Sequence, residues 1–223
     1  MKSENENQKL RKSLSTFYLR ATSGFHFTLH SSPFTLRLLH YPSCMNVLTV
    51  PGLWNSGPQH WQTHWEAKYP GMRRVMQRDF DLPDREEWVA TLDAAVRSCG
   101  APPVLAAHSL GCSLVAQWAL DRGGDGVAGA FLVAPSDAEA PGYPVEGRSF
   151  ARMPLQTLPF PSIVVASTND QYVSMERASL FAAAWGSRLV VIGDAGHING
   201  ASGHGPWPEG EELLLDFCAS LSA

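Results

Sequence analysis

Residues 107–111 read Ala-His-Ser-Leu-Gly and sit where one apolar run ends and another begins. This fits the nucleophile-elbow pattern G-x-S-x-G, with Ala107 in the place of the first glycine. A strand that turns abruptly into a helix brings backbone segments into contact. Small residues are therefore needed beside the serine, which itself adopts a strained conformation. The turn puts Ser109 at a helix N-terminus, where unpaired N–H groups and the helix dipole favour negative charge. Ser109 there is either a helix cap or a nucleophile. A hydroxyl becomes a useful nucleophile only when a base takes its proton and an acid holds that base in one tautomer.

His197, in the glycine-rich stretch GDAGHING, is the candidate base. Three carboxylates compete for the third role: Asp170, Asp137 in APSDAEAP, and Asp194, which reads as a solvated turn residue. The chain order Ser109, Asp170, His197 is the one that accompanies this elbow, and it puts Asp170 ahead. An oxyanion needs two N–H donors. Leu110 N–H follows the serine directly, and Leu53 N–H, in the loop after the first strand, is the candidate for the second.

The elements that must position these groups are legible from residue 45 onward. Apolar runs at 46–50, 73–77, 103–107, 129–134, 162–167 and 188–192 read as strands. They do not alternate with polar residues, so they suit parallel strands covered on both faces. Between them lie helix candidates at 59–68, 85–98, 110–122, 175–185 and 209–221. The repetition predicts a doubly wound, mostly parallel, six-stranded α/β sheet with helices on both faces. Ligands bind such sheets beyond the carboxyl ends of the strands. Ser109, Asp170 and His197 all follow strands, so all three fall on one edge. Residues 135–161 hold six prolines and read as a loop or small lid.

Other features carry less chemistry. His60 and His64 share a helix face at metal-ligand spacing, but no adjacent Glu or clear third ligand accompanies them, so a packed or surface pair is expected. No Walker motif or strand-anchored G-x-G-x-x-G is present, and neither cofactor nor metal is expected. Trp54, Trp61, Trp65 and Trp207 flank the predicted edge. Trp54, His108 and Trp207 are the candidates for lining a substrate pocket.

The totals set limits. The 223 residues suffice for one α/β domain over 45–223, and 44% hydrophobic with 17% charged residues suits a globular chain. A net charge of −4 argues against a nucleic-acid partner. No stretch nears the roughly 18 apolar residues of a membrane span. Cys44, Cys99, Cys112 and Cys218 form no C-x-x-C, and a cytoplasmic location is the simplest expectation. Residues 1–44 differ, with six Lys/Arg against two Glu, where the remainder has 11 basic against 19 acidic residues. They lack the apolar core of a secretory signal, and Glu4 and Glu6 count against a transit peptide. A poorly ordered extension is expected there. Met45 directly precedes the first strand, so 1–44 also reads as a misassigned upstream start.

The stretches VPGLWNSGPQHWQTHWE, LPFPSIVVASTNDQYVS and WGSRLVVIGDAGHINGASGHGPWPEG resemble the small serine hydrolase family of bacterial YdeN and the human retinoblastoma-binding serine hydrolase. The resemblance spans about residues 45–221. It implies a compact α/β-hydrolase fold and a triad of Ser109, Asp170 and His197, which favours Asp170 over Asp137. The family pattern after the acid reads Asp-Pro-Tyr, whereas this chain has Asp170-Gln171-Tyr172. The expected activity is hydrolysis of a small ester or related acyl substrate. Thioesterase, peptidase and acyltransferase chemistry would use the same residues. The contrasting expectation, suggested by the partner-binding human relative, is a weakly active or inactive protein-binding module.

Overall fold

The computed structural model describes residues 46–221, so the extension expected over 1–44 lies outside the described residues. Six strands appear: β1 (Val47–Val50), β2 (Met72–Arg74), β3 (Val104–His108), β4 (Gly129–Val133), β5 (Ser162–Ala166) and β6 (Arg188–Val191). Five helices alternate with them: α1 (Trp61–Lys68), α2 (Arg85–Arg97), α3 (Leu110–Arg122), α4 (Met175–Trp185) and α5 (Pro208–Ser220). The sheet order is β2-β1-β3-β4-β5-β6. Every pairing is parallel, as continuous apolar strands joined by helices require.

Each residue of β1, β3, β4 and β5 is buried, and the two-residue side-chain period splits them between two cores. Leu105 and Ala107 face Trp88 of α2, Leu114 of α3 and Phe181 of α4. Val104 and Ala106 face Trp61 and Trp65 of α1 and Phe217 of α5. Each large apolar side chain so buried contributes about 1.5–3 kcal/mol. Local signals set the helix ends. Asp84 and Ser174 accept from the N–H groups of Glu87 and Arg177, and Gly123 and Gly186 end α3 and α4 in the left-handed region.

The edge strand β2 is shorter and earlier than the apolar pattern at 73–77 indicated. Val75 N–H still donates to Thr49 O (2.9 Å), but the chain then leaves the sheet and passes the loop after β1, where Trp54 N–H donates to Phe80 O (2.8 Å). The proline-rich segment after β4 packs down on the domain. Its 3-10 turn, Val145–Phe150, buries Phe150 against Trp88. Arg148 donates to Ala140 O and Pro141 O (2.8 and 2.9 Å), and Trp185 Nε1–H donates to Pro154 O (2.8 Å). Among the described residues no helix is long and apolar enough to cross a membrane.

Candidate active site

Ser109 joins β3 to α3 with φ 55° and ψ −124°, a backbone conformation that side-chain-bearing residues rarely occupy. Close packing imposes it. A Cβ on Gly111 would collide with Val50 O and stand 2.9 Å from Pro51 O, so the fifth and last residue of the elbow must lack a side chain. Ser109 N–H donates to Val133 O at the end of β4 (3.0 Å), which fixes the apex against the sheet. The hydroxyl occupies the cap position of α3 but makes no cap hydrogen bond. It lies instead 2.8 Å from His197 Nε2.

The other face of the His197 ring system meets the loop after β5. Nδ1 lies 2.8 Å from Asp170 Oδ2 and 2.9 Å from Oδ1, and the Asp170 side chain is entirely shielded from solvent. Tyr172 N–H donates to Asp170 Oδ1 (2.9 Å), and Tyr172 O accepts from Asp137 N–H (2.9 Å). These bonds hold the turn without the family's proline at position 171. The loops after β5 and β6 are also tied directly: Asn169 Oδ1 accepts from Gly196 N–H (2.7 Å) and Ser167 Oγ from Ala195 N–H (2.9 Å). The competing acids are committed elsewhere. Asp137 forms a two-pronged pair with Arg177 (2.8 and 3.0 Å), and Asp194 accepts from Thr168 Oγ1.

Ser109 opens into a cavity of about 140 Å³ that Leu53, Trp54, Tyr143, Pro144 and Tyr172 help to line. His60, His108, Asn55 and Asn199 add polar atoms, and among the described residues no Lys, Arg, Asp or Glu lines it. Tyr172 sets its ring edge-on to His197, 4.6 Å between centroids. Burial raises the Tyr143 phenol to about 12, so it stays protonated, with its hydroxyl 2.9 Å from Ser136 Oγ. Leu53 and Leu110 come from touching segments, since a Cβ on Gly52 would stand 2.9 Å from Leu110 N. Among the described residues neither Leu53 N–H nor Leu110 N–H donates to a backbone carbonyl.

Of the expected pocket residues, Trp54 and His108 line this cavity and Trp207 does not. Trp207 is buried, stacked on Trp65 with centroids 5.8 Å apart, and its indole covers Gly210 so closely that any side chain there would collide. A small residue three positions on, within α5, draws the ring into the core. His60 and His64 part company: His60 turns to His108 (3.3 Å), while His64 Nε2 is buried without a hydrogen-bond partner among the described residues. Among the described residues no group of three His, Cys, Asp or Glu could hold a metal ion. Sequence reasoning missed Tyr143, Tyr172, Asn55 and Asn199. Only Tyr172, two residues after Asp170, carried a positional signal.

An all-parallel six-stranded sheet, with the strained serine after β3 and the aspartate and histidine after β5 and β6, defines an α/β-hydrolase. A profile of the serine hydrolase family matches residues 47–216, and the chain belongs to that family. A protein of Pectobacterium atrosepticum described as a YdeN-like hydrolase is 35% identical, with 80% of this chain and 92% of that one covered at a TM-score of 0.72. The Bacillus subtilis ydeN product is 20% identical over 78% and 97% of the two chains, with a TM-score of 0.58. A thermophilic esterase of Thermogutta terrifontis is similar in fold, at 16% identity over 79% and 90% and a TM-score of 0.60. Comparison with curated proteins finds no match. Hydrolase chemistry follows from the family.

Proposed function

We propose that the protein hydrolyses small, uncharged carboxylic esters through an acyl-Ser109 intermediate. One observation carries the reading: a strained serine, withdrawn from capping its helix, lies 2.8 Å from an imidazole whose other nitrogen is held by a buried carboxylate. In the acylation step His197 Nε2 takes the Ser109 proton as Oγ bonds to the ester carbonyl carbon. Asp170 accepts from Nδ1–H and stabilises the imidazolium that forms. The Leu53 and Leu110 N–H groups receive the oxyanion, aided by the N-terminus of α3. Collapse of the tetrahedral intermediate expels the alcohol, which takes the proton from Nε2. Water then repeats the sequence on the acyl-serine and releases the acid.

The cavity supports the substrate class. Its volume, about 140 Å³, falls below the roughly 300–1,000 Å³ of drug-sized ligand sites, so it suits a short acyl group. Among the described residues, its lining offers no fixed charge to pair with an ionised substrate.

The test is labelling with a fluorophosphonate, alongside turnover of p-nitrophenyl esters of increasing acyl length. Ser109 should take up the label, and Ser109→Ala should abolish both labelling and turnover. An intact wild-type protein that takes up no label, while a control hydrolase does, sinks the proposal and leaves the protein-binding module as the alternative.

A further inference from the structure

We propose that His60 and His108 are positioning residues, linked in a one-way chain of hydrogen bonds that fixes the backbone of His197 so that its ring spans Ser109 and Asp170. The inference rests on the hydrolase reading above.

The direction of the chain follows from groups that have no choice. Gln62 N–H can only donate, so His60 Nδ1 accepts from it (3.2 Å) and carries no proton. The proton of the neutral His60 ring is then on Nε2, which donates to His108 Nδ1 (3.3 Å). His108 Nδ1 is thereby an acceptor, and its ring proton is on Nε2. That N–H donates to the carbonyl oxygen of His197 (2.9 Å), which can only accept. Adding a proton to His108 would set two N–H groups against each other at the His60 contact. Adding one to His60 would break its cap on α1. Both rings are almost wholly buried, which also disfavours their charged forms.

The carbonyl at the end of this chain needs holding. His197 is flanked by Gly196 at φ 59° and by Ile198 at φ 46°, a left-handed conformation that a β-branched side chain resists. Such strain persists only where the surroundings over-determine it. The head of α1 does so. His60 acts through His108, and Trp61 Nε1–H donates to the next carbonyl, Ile198 O (3.1 Å). Gly200 fits tightly beside the same segment, since a Cβ there would stand 2.7 Å from Gln59 O. His108 touches the backbone of His197, and Ser109 and Asp170 hold the two ring nitrogens. It therefore acts through placement and takes no part in proton transfer.

Three variants test this. His108→Phe removes the donor at similar size. His108→Gln offers an amide N–H at the reach of Nε2. His60→Asn keeps an acceptor for Gln62 N–H and loses the donor to His108. A misplaced catalytic group costs on the order of 10²-fold, so His108→Phe should lower kcat on p-nitrophenyl acetate by about 10- to 100-fold with KM within about twofold. His108→Gln should recover to within about threefold of wild type, and His60→Asn, while still folded at the assay temperature, should lose about fivefold or more in kcat with KM within about twofold. If His108→Phe does not fold, the other two variants decide. Wild-type kcat in His108→Phe or in His60→Asn overturns the proposal. So does a folded His108→Gln that loses as much as His108→Phe, or about 10-fold or more where His108→Phe does not fold. Fluorophosphonate labelling separates the two layers. An unlabelled wild type sinks the hydrolase reading, whereas equal labelling rates in wild type and His108→Phe sink the positioning role alone.

Discussion

Gly52 lies against Ser109 so closely that a Cβ on the glycine would stand 2.9 Å from the serine Cβ, and equally near His108 O and Leu110 N. Two of these three neighbours are backbone atoms, which cannot swing aside. Gly52→Ala should therefore push the loop carrying Leu53 away from the elbow. Overpacking of this kind costs about 1–3 kcal/mol of stability. Loss of one oxyanion donor costs about 10²–10³ in rate, and kcat should fall toward that range. Urea denaturation and steady-state kinetics on a short-chain ester check both. Wild-type kcat in Gly52→Ala would show that Leu53 N–H does not serve the reaction.

Asp170 and Asp137 give opposite expectations. Asp170 is shielded from solvent and meets His197 Nδ1 through both oxygens, so Asp170→Asn should let the imidazole adopt the wrong tautomer. A kcat loss of about 10³–10⁴-fold with little change in KM is expected. Asp137 is occupied by Arg177, so Asp137→Asn should cost stability and spare kcat. Kinetics of the two purified variants decide the matter, and a larger kcat loss in Asp137→Asn would reverse the assignment.

The residues of the proposed triad were legible as neighbours because each follows an apolar run, and an apolar run flanked by helical patterns becomes a parallel strand whose end faces one edge. Ser109, Asp170 and His197 needed only strand positions and chain order. What escaped depends on tertiary packing. His60 and His108 are 48 positions apart and become neighbours only when α1 folds across the end of β3. Trp207 looked like a pocket residue, but its left-handed backbone (φ 41°) and the bare surface of Gly210 turn it inward. Tyr143 reaches the site from a proline-rich loop whose path is set by Arg148 bonding to carbonyls, which no periodicity encodes.

Arg74, at the end of β2, ties the Leu53 loop to α1. Its guanidinium donates to Glu66 Oε1 (3.0 Å), Asn55 Oδ1 (3.0 Å), Ser56 O (2.9 Å) and Thr63 Oγ1 (2.6 Å). Trp54 and Asn55 both hold positive φ, 65° and 63°, so this turn stores strain that the clamp must offset. Arg74→Met should cost about 1.5–3 kcal/mol, since it takes the charge partner from a partly buried carboxylate and one donor from each of two loop acceptors. Arg74→Lys should recover only part, because an ammonium cannot fill a planar fork. Chemical denaturation measures both, and a wild-type midpoint in Arg74→Lys would contradict the clamp.

The imidazole chain makes an acid-range prediction of its own. Burial first, then the positive charge of Arg74 with smaller contributions from His197 and His204, lowers His60 from 6.5 to about 3. Burial, with His60, His197 and His204 around it, holds His108 well below the usual histidine range despite its bond to His197 O. In the unfolded chain both rings take up protons as pH falls through about 6.5, whereas in the folded protein neither does until far lower. The unfolded state therefore binds more protons in this window, and stability is fully present above pH 6.5 and lost as pH falls. The slope approaches about 1.4 kcal/mol per pH unit for each ring. Carboxylates titrate mainly lower, so unfolding free energies between pH 7.5 and 5 isolate the histidines. His108→Gln should shallow that slope by about one proton's worth relative to wild type. A wild-type stability that stays level from pH 7.5 to 5 would mean that the two rings are not held neutral in the fold.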